Sequence, residues 1–400
     1  MGAAQIVKGV SWVGARHPDL RVFDVIMNTQ WGTSYNSYFI EGSEKTVLVD
    51  TVKAAFVDEL LSNIGEVGDI SKIDYIVCNH TEPDHSGSLE RILELAPNAV
   101  VVCSKSASIF LHNILNADFE CIVVGDGDTL ELGGKTLKFI SAPFLHWPDS
   151  MFTYVVQDAV LLSGDVFGYH FSAENVFDDL TELSTEMVVS QKYYFDVIMG
   201  PFKKYVLDAI AKIRGLHIDV IGPSHGPVLR AAPWDAVDRY EAWSKDILEV
   251  NEIKKVYVGY VSCYGYTKTL AMTIAEVARE AGLDVEVEDV SVVDPEVSAA
   301  KIHASDAFAI GSPTLNRDAL KPVWDVLTSI STYIVKGKTA AVFGSFGWSG
   351  ESVKLINKAL EEMNFDVVDP GVRLQFVPDD KGLAACAALG KKIAAALPEK

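Results

Sequence analysis

The sequence predicts an α/β protein in two parts: two stacked sheets with helices outside them, then a part in which strands and helices alternate. Three observations carry this. The chain has 400 residues, too many for one ordinary core. In residues 1–250, apolar runs of strand length repeatedly end in Gly- or Pro-marked loops that carry His, Asp and Glu. In residues 251–400, strand, hydroxyl-bearing loop and helix alternate. The boundary falls in the charged stretch 243–255, which reads as a helix tail followed by a linker.

Composition narrows the class. Apolar residues make up 49% of the chain, which means filled cores and not disorder. No apolar run reaches the roughly 18 residues needed to cross a bilayer. No basic-then-apolar signal opens the chain, and Met1-Gly2-Ala3-Ala4-Gln5-Ile6 has no Ser or Thr where myristoylation would require one. A net charge of −21 argues against nucleic acid and anionic membranes as partners. The five cysteines are scattered, with no C-x-x-C pair. That argues against an iron–sulfur or rubredoxin-type site and against a disulfide framework. A cytoplasmic enzyme is expected.

In the first part, Val10-Ser11-Trp12-Val13, Ser37-Tyr38-Phe39-Ile40 and Thr46-Val47-Leu48-Val49 read as strands, and 54–64 as a helix. Tyr75-Ile76-Val77-Cys78 reads as a buried strand and runs into Asn79-His80-Thr81-Glu82-Pro83-Asp84-His85-Ser86-Gly87. Four residues of that loop, His80, Glu82, Asp84 and His85, are metal-ligand types. In an extended segment His80 and Glu82 point one way, and the turn at Pro83 redirects Asp84 and His85, which suits two metals better than one. Helices are then expected over 88–95 and 106–114, with strands at 99–103, 136–140 and 160–162.

Three more strand ends supply further ligand types: His146 in Leu145-His146-Trp147-Pro148-Asp149-Ser150, Asp165 in Ser163-Gly164-Asp165, and His225 in Ser224-His225-Gly226. Imidazoles with three carboxylates and no thiolate favour iron or manganese over a Cys-rich zinc site. A carboxylate such as Asp165 can bridge two metals.

This pattern, H-x-E-x-D-H followed by a His, an Asp and a late S-H-G, resembles the metallo-β-lactamase fold. Hydrolases of that fold commonly have His as the second ligand, where this chain has Glu82.

The second part opens with Lys255-Val256-Tyr257-Val258-Gly259-Tyr260-Val261, a strand, and then Ser262-Cys263-Tyr264-Gly265-Tyr266-Thr267 before a helix over 270–280. Free backbone N–H groups and the helix dipole there suit a phosphate. The loop lacks the G-x-x-x-x-G-K-[ST] pattern of nucleotide triphosphate binding. Two later strand ends follow: Ser312-Pro313-Thr314-Leu315-Asn316-Arg317 and Ser345-Phe346-Gly347-Trp348-Ser349-Gly350. Together the three loops resemble those of flavodoxins, which implies a flavodoxin-like doubly wound parallel sheet. The resemblance implies FMN, its phosphate on Ser262, Cys263, Tyr264, Gly265, Tyr266 and Thr267. Pro313, Thr314, Leu315, Asn316 and Arg317, with Ser345, Phe346, Gly347, Trp348, Ser349 and Gly350, would flank the flavin. The bulk of Cys263-Tyr264-Gly265-Tyr266 departs from the usual flavodoxin loop.

A metallo-β-lactamase-like part with Glu82, joined to a flavodoxin-like part, resembles the flavodiiron proteins. That family reduces dioxygen to water, nitric oxide to nitrous oxide, or both. The resemblance implies one iron on His80, Glu82 and His146, a second on Asp84, His85 and His225, and Asp165 between them; members differ over the histidine at position 85. Two ferrous ions and a reduced flavin hold four electrons, the number that takes dioxygen to water. Tyr194, Tyr193 and His170 are candidate proton donors, Tyr194 the one placed with Asp165 and His85 in the catalytic set.

The resemblance also implies a head-to-tail homodimer, or a dimer of dimers. With Lys400 soon after the flavodoxin-like part, a separate electron donor is expected: a rubredoxin-like protein or a reduced deazaflavin (coenzyme F420). Two rival readings share the sequence: a binuclear metallo-hydrolase with a fused flavodoxin module, and an electron carrier whose metal domain is scaffold. Glu82 and the retention of seven buried ligand types stand against them.

Overall fold

Strand alternation builds the first half. In Tyr38–Glu41, Tyr38 and Ile40 enter one core while Phe39 enters another. In Thr46–Val49, Val47 and Val49 go with the former and Leu48 with the latter. This period of two is what a sheet covered on both faces requires. The computed structural model describes residues 2–25, 27–180, 184–245 and 253–397. The chain divides into two compact units, Met1–Leu248 and Glu249–Lys400.

Among the described residues, the first unit holds a seven-stranded sheet in the order Ala4–Val7, Val10–Trp12, Tyr38–Glu41, Thr46–Val49, Tyr75–Cys78, Val100–Cys103, Cys121–Val123. A second sheet of five runs Thr129–Glu131, Thr136–Ser141, Met151–Val155, Val160–Gly164, Val220–Pro223. Trp12, Tyr38, Val47 and Val77 of the first sheet meet Phe139, Met151 and Leu162 of the second in the core between them. The outer faces are covered by helices such as Val57–Val67 and Lys203–Ile213, which bury Leu60, Ile64, Val206 and Ile210. The unit is thus an αββα sandwich.

Two local readings are corrected. The segment expected to be a loop through Asp84 and His85 is a helical turn, Pro83–Ser86, with Pro83 at its start where a missing N–H costs nothing. The helix expected over 54–64 is a 3₁₀ turn, Ala54–Phe56, leading into Val57–Val67. Of the expected linker, residues 246–252 lie outside the described ones; the helix before it is Pro233–Ser244 and the strand after it Lys255–Tyr260.

In the second unit the strands run Asp284–Asp289, Lys255–Tyr260, Ala307–Gly311, Thr339–Phe346, Asp366–Val367, with Val372–Gln375 also on Thr339–Phe346. Each of these pairings is parallel. The order 2-1-3-4-5 is the doubly wound one, with its switch point beside the first strand. Phe308 and Ile310 fill one face, Ala307 and Ala309 the other, so every residue of Ala307–Gly311 is buried. Among the described residues no helix is long and apolar enough to cross a membrane.

Candidate metal centre and cofactor cleft

The strands ending at Cys78, Ser141, Gly164 and Pro223 deliver His80, His146, Asp165 and His225 to one rim of the sandwich. Asn79 locks that rim. Its carbonyl accepts from Met151 N (2.9 Å), its side-chain amide donates to Leu162 O (3.3 Å), and its Oδ1 accepts from Thr153 Oγ1 (2.7 Å). The adjacent residue, His80, is therefore held against both sheets.

All seven ligand-type residues converge, and they form two half-sites. In one, Glu82 Oε2 lies 3.2 Å from His80 Nε2 and 2.8 Å from His146 Nε2. Asp165 Oδ2 lies 3.6 Å from His80 Nε2 and 3.5 Å from His146 Nε2. In the other, Asp84 Oδ1 is 3.3 Å from His85 Nε2 and Asp84 Oδ2 is 3.1 Å from His225 Nε2. Asp165 Oδ1 faces the same two rings, at 3.2 and 3.5 Å. One carboxylate thus turns one oxygen to each half-site. Pro83 divides the set: His80 and Glu82 precede it, and the helical turn after it carries Asp84 and His85 to the far side.

The imidazoles are oriented from behind. His225 Nδ1 donates to Ser34 O (2.7 Å), which leaves Nε2 for the centre. His80 Nδ1 lies 3.2 Å from Asp149 Oδ2, which also accepts from Thr81 N and Thr81 Oγ1, both at 2.8 Å. Such outer carboxylates fix the tautomer of a metal-ligating His. Burial alone would lower the His80 pKa, but its hydrogen bonds to Asp149 and Glu82 outweigh it and raise it well above the ordinary value. His85 is raised to about 10: burial opposes, and Asp84 and Asp165 prevail. Asp165 is held well below the carboxylate range, because the charges of His85, His80 and His225 overcome its burial.

His170 is buried with its ring 4.8 Å from that of His225, and its Nδ1 lies 2.9 Å from Thr33 Oγ1. Tyr194 packs at 5.0 Å from His170 and 6.1 Å from His225. Burial, then the Asp165 charge, pushes its phenol well up. Tyr193 points elsewhere, its hydroxyl accepting from Asn28 N at 3.3 Å.

In the second unit a cleft of about 350 Å³ opens at the carboxyl ends of the strands. Cys263, Tyr264 and Tyr266 line it from the first loop, Pro313, Thr314, Leu315, Asn316 and Arg317 from the second, and Ser345, Phe346, Gly347, Trp348 and Ser349 from the third. Trp348 is 88% exposed, so it is not a core tryptophan. Ser262, Gly265, Thr267 and Gly350 are not among the residues that line it. Gly265 (φ +86°) caps the helix Tyr266–Glu280. Thr267 Oγ1 meets Ser345 Oγ at 2.8 Å and Thr314 N donates to Ser345 O at 2.9 Å, which ties the three loops together.

Comparison with known proteins follows the same division. The family model for ODP family beta lactamases matches residues 33–226, and that for flavodoxins residues 258–390. A flavo-diiron protein of Clostridium acetobutylicum is 40% identical, covering 98% of this chain and 99% of its own. A nitric oxide reductase of Moorella thermoacetica is 36% identical, covering 98% of each. The rubredoxin oxygen:oxidoreductase of Desulfovibrio gigas superposes with a TM-score of 0.71 at 32% identity, covering 98% of both chains. The chain belongs to the flavodiiron protein family.

The residues fit the paired irons and the flavin of a flavodiiron protein. Both oxygens of Asp84, Asp165 Oδ1 and both ring nitrogens of His85 are buried without a hydrogen-bond partner. Asp84, His85 and His225 each bring one ligand atom within 4.8 Å of the others, as donors around one metal do. In the first loop of the cleft domain the Ser262 hydroxyl is likewise buried and unpartnered. Sequence reasoning missed the flavodiiron chain's supports: Asp149, Thr33 and Ser34 behind the histidines, and Phe376, which lines the cleft with φ +53°. Asp149 had one signal, an acid three residues beyond His146 in a Pro-marked turn.

Proposed function

We propose that this chain reduces dioxygen to water, nitric oxide to nitrous oxide, or both, at a pair of non-haem irons, with FMN relaying electrons from an external donor. Asp165 carries the reading, because its two oxygens face two separate sets of imidazole and carboxylate. His80, Glu82 and His146 would hold one iron, and Asp84, His85 and His225 the other. His85 belongs in the set because its Nε2 is aimed at Asp84 and Asp165. When bound, the irons and flavin supply the gas site and the electrons.

The chain's own residues prepare that site. Asp149 and Ser34 hold His80 and His225 in the tautomers that present Nε2. Tyr194 keeps a proton on its buried hydroxyl beside His225, a donor for an oxygen that gains charge. Residues 1–250 serve as the diiron domain and 251–400 as the FMN domain. Ser262 to Thr267 would hold the phosphate, with Pro313 to Arg317 and Ser345 to Gly350 around the ring. A rubredoxin-like protein or a reduced deazaflavin supplies electrons in the cytoplasm, to a head-to-tail homodimer or its dimer. The family membership supports these assignments, as does the net charge of −21, which repels nucleic acid.

Iron- and FMN-loaded protein, reduced anaerobically and mixed with O₂ or NO in stopped flow, tests this. Fast flavin reoxidation by at least one gas, lost in Asp165→Ala, is expected. Reoxidation no faster than that of free FMN, and unchanged in the variant, would overturn it.

A further inference from the structure

Cys103 and Cys121 play no part in either site, yet their sulfurs lie 3.4 Å apart. They sit on neighbouring parallel strands, Val100–Cys103 and Cys121–Val123, on the helix-covered face of the sheet. Cys103 is fully buried and Cys121 half-buried, so only the second meets solvent. We propose that Cys121 and Cys103 form a hydroperoxide-reactive pair, Cys121 as the attacking thiol and Cys103 as the resolving one, closing a reversible disulfide.

The chemistry balances without another reactant. The Cys121 thiolate attacks one oxygen of ROOH and breaks the O–O bond; the departing RO⁻ takes a proton and leaves as ROH. Cys121 is then a sulfenic acid, oxidised by two electrons. The Cys103 sulfur attacks it, and hydroxide leaves with the Cys103 proton as water. Two thiols and one hydroperoxide become one disulfide, ROH and water.

Geometry and electrostatics favour that assignment. A hydrogen bond from the Cys103 thiol lowers the Cys121 pKa to about 7 against the effect of burial, so the half-exposed sulfur is the one that ionises. Cys121 pairs with Val101 and Cys103 with Val123, so the two cysteines are diagonal neighbours, and an S–S bond of about 2.05 Å needs the sulfurs to close by roughly 1.4 Å with a shift of the strand. Among the described residues Cys121–Val123 is the last strand of its sheet, bonded on one side only, so it can shift without breaking a second ladder. The pair also abuts the bracket behind His80: Ser104, next to Cys103, donates its hydroxyl to Asp149 O at 2.7 Å. The inference stands independently of the gas-reductase reading.

The test uses the iron- and FMN-loaded protein in its diferric state, so that ferrous iron does not consume the probe. One equivalent of hydrogen peroxide is added, free thiols are blocked, and the denatured chain is counted and digested with trypsin. The five thiols should fall to three, restored by dithiothreitol. Cleavage after Lys105 separates the two cysteines, so the disulfide should appear as peptides 92–105 and 106–135 joined. Cys121→Ser should keep its remaining thiols, and Cys103→Ser should stop at a dimedone-reactive sulfenic acid on Cys121. Retention of all five thiols would overturn the proposal. So would oxidation confined to the exposed Cys263, or linkage of 92–105 to the Cys78 peptide 73–91. The peptide map of the unsubstituted protein decides the matter alone if a variant does not fold.

Discussion

Replacing Asp149 by Asn tests whether the centre depends on the group behind it. The side chain is completely buried, and one oxygen accepts three hydrogen bonds, from Thr81 N, Thr81 Oγ1 and His80 Nδ1. The Asn carbonyl can take the same three donors, so the packing survives. The charge is lost, and the new amide group falls where Asp149 Oδ1 finds no partner. Outer-sphere changes of this kind cost about 10- to 100-fold in metal affinity, or about 1.4–2.8 kcal/mol. Anaerobic Fe(II) titration against a competing chelator should show the ion at His80, Glu82 and His146 weakened by that amount, and the ion at Asp84, His85 and His225 weakened less. A folded D149N protein that binds both ions as tightly as the parent would refute the reasoning.

Three further outcomes follow from packing and charge. Burial pushes the Asp50 carboxyl up to about 6, against the pull of His85 and the Asn79 N–H. The folded metal-free chain therefore keeps a proton that the unfolded chain has released, and this contribution to stability is lost as pH rises from about 4 to about 6. Denaturant midpoints should show the parent losing up to about 3 kcal/mol relative to D50N across that window; a flat difference would contradict it. Gly222→Ala would set a Cβ 2.7 Å from Leu162 Cδ2 and from Tyr38 Cζ, inside the strand that leads to His225. About 1–3 kcal/mol of stability should be lost, seen as a lower denaturant midpoint. Phe376→Ala should raise the FMN dissociation constant roughly 2- to 13-fold, as loss of one aromatic partner predicts, measured by flavin fluorescence.

The residues legible in the sequence share one property. His80, Glu82, His146, Asp165 and His225 are polar groups just beyond apolar runs, and a Gly- or Pro-marked turn announces each. Strand alternation made the two-layer half readable as well, and the doubly wound half followed from the likeness of its three loops to those of flavodoxins. What escaped depends on contacts across the fold. Asp149 reaches Thr81 over 68 positions, and Ser34 reaches His225 over 191. No local pattern encodes such pairings. A Pro-marked turn does follow Phe376, but an apolar residue at a strand end reads as core and not as a cleft wall. The helical turn at Pro83–Ser86 is too short for periodicity to register. The closeness of Cys103 and Cys121 comes from the lateral order of strands, which spacing along the chain does not show.

The ligand set is drawn from both sheets: His80, Glu82, Asp84 and His85 follow a strand of the seven-stranded one, and His146, Asp165 and His225 follow strands of the five-stranded one. An ion shared by such a set is a rivet between the layers. Glu82, Asp84 and Asp165 each lie against imidazoles, so without an ion protonated histidines are what balance the carboxylates of the rim. Filled, the same rim becomes the tightest seam of the sandwich. Amide hydrogen exchange along Asn79 and the two strands flanking Asp165 should then report occupancy, slowing as the rivet is set.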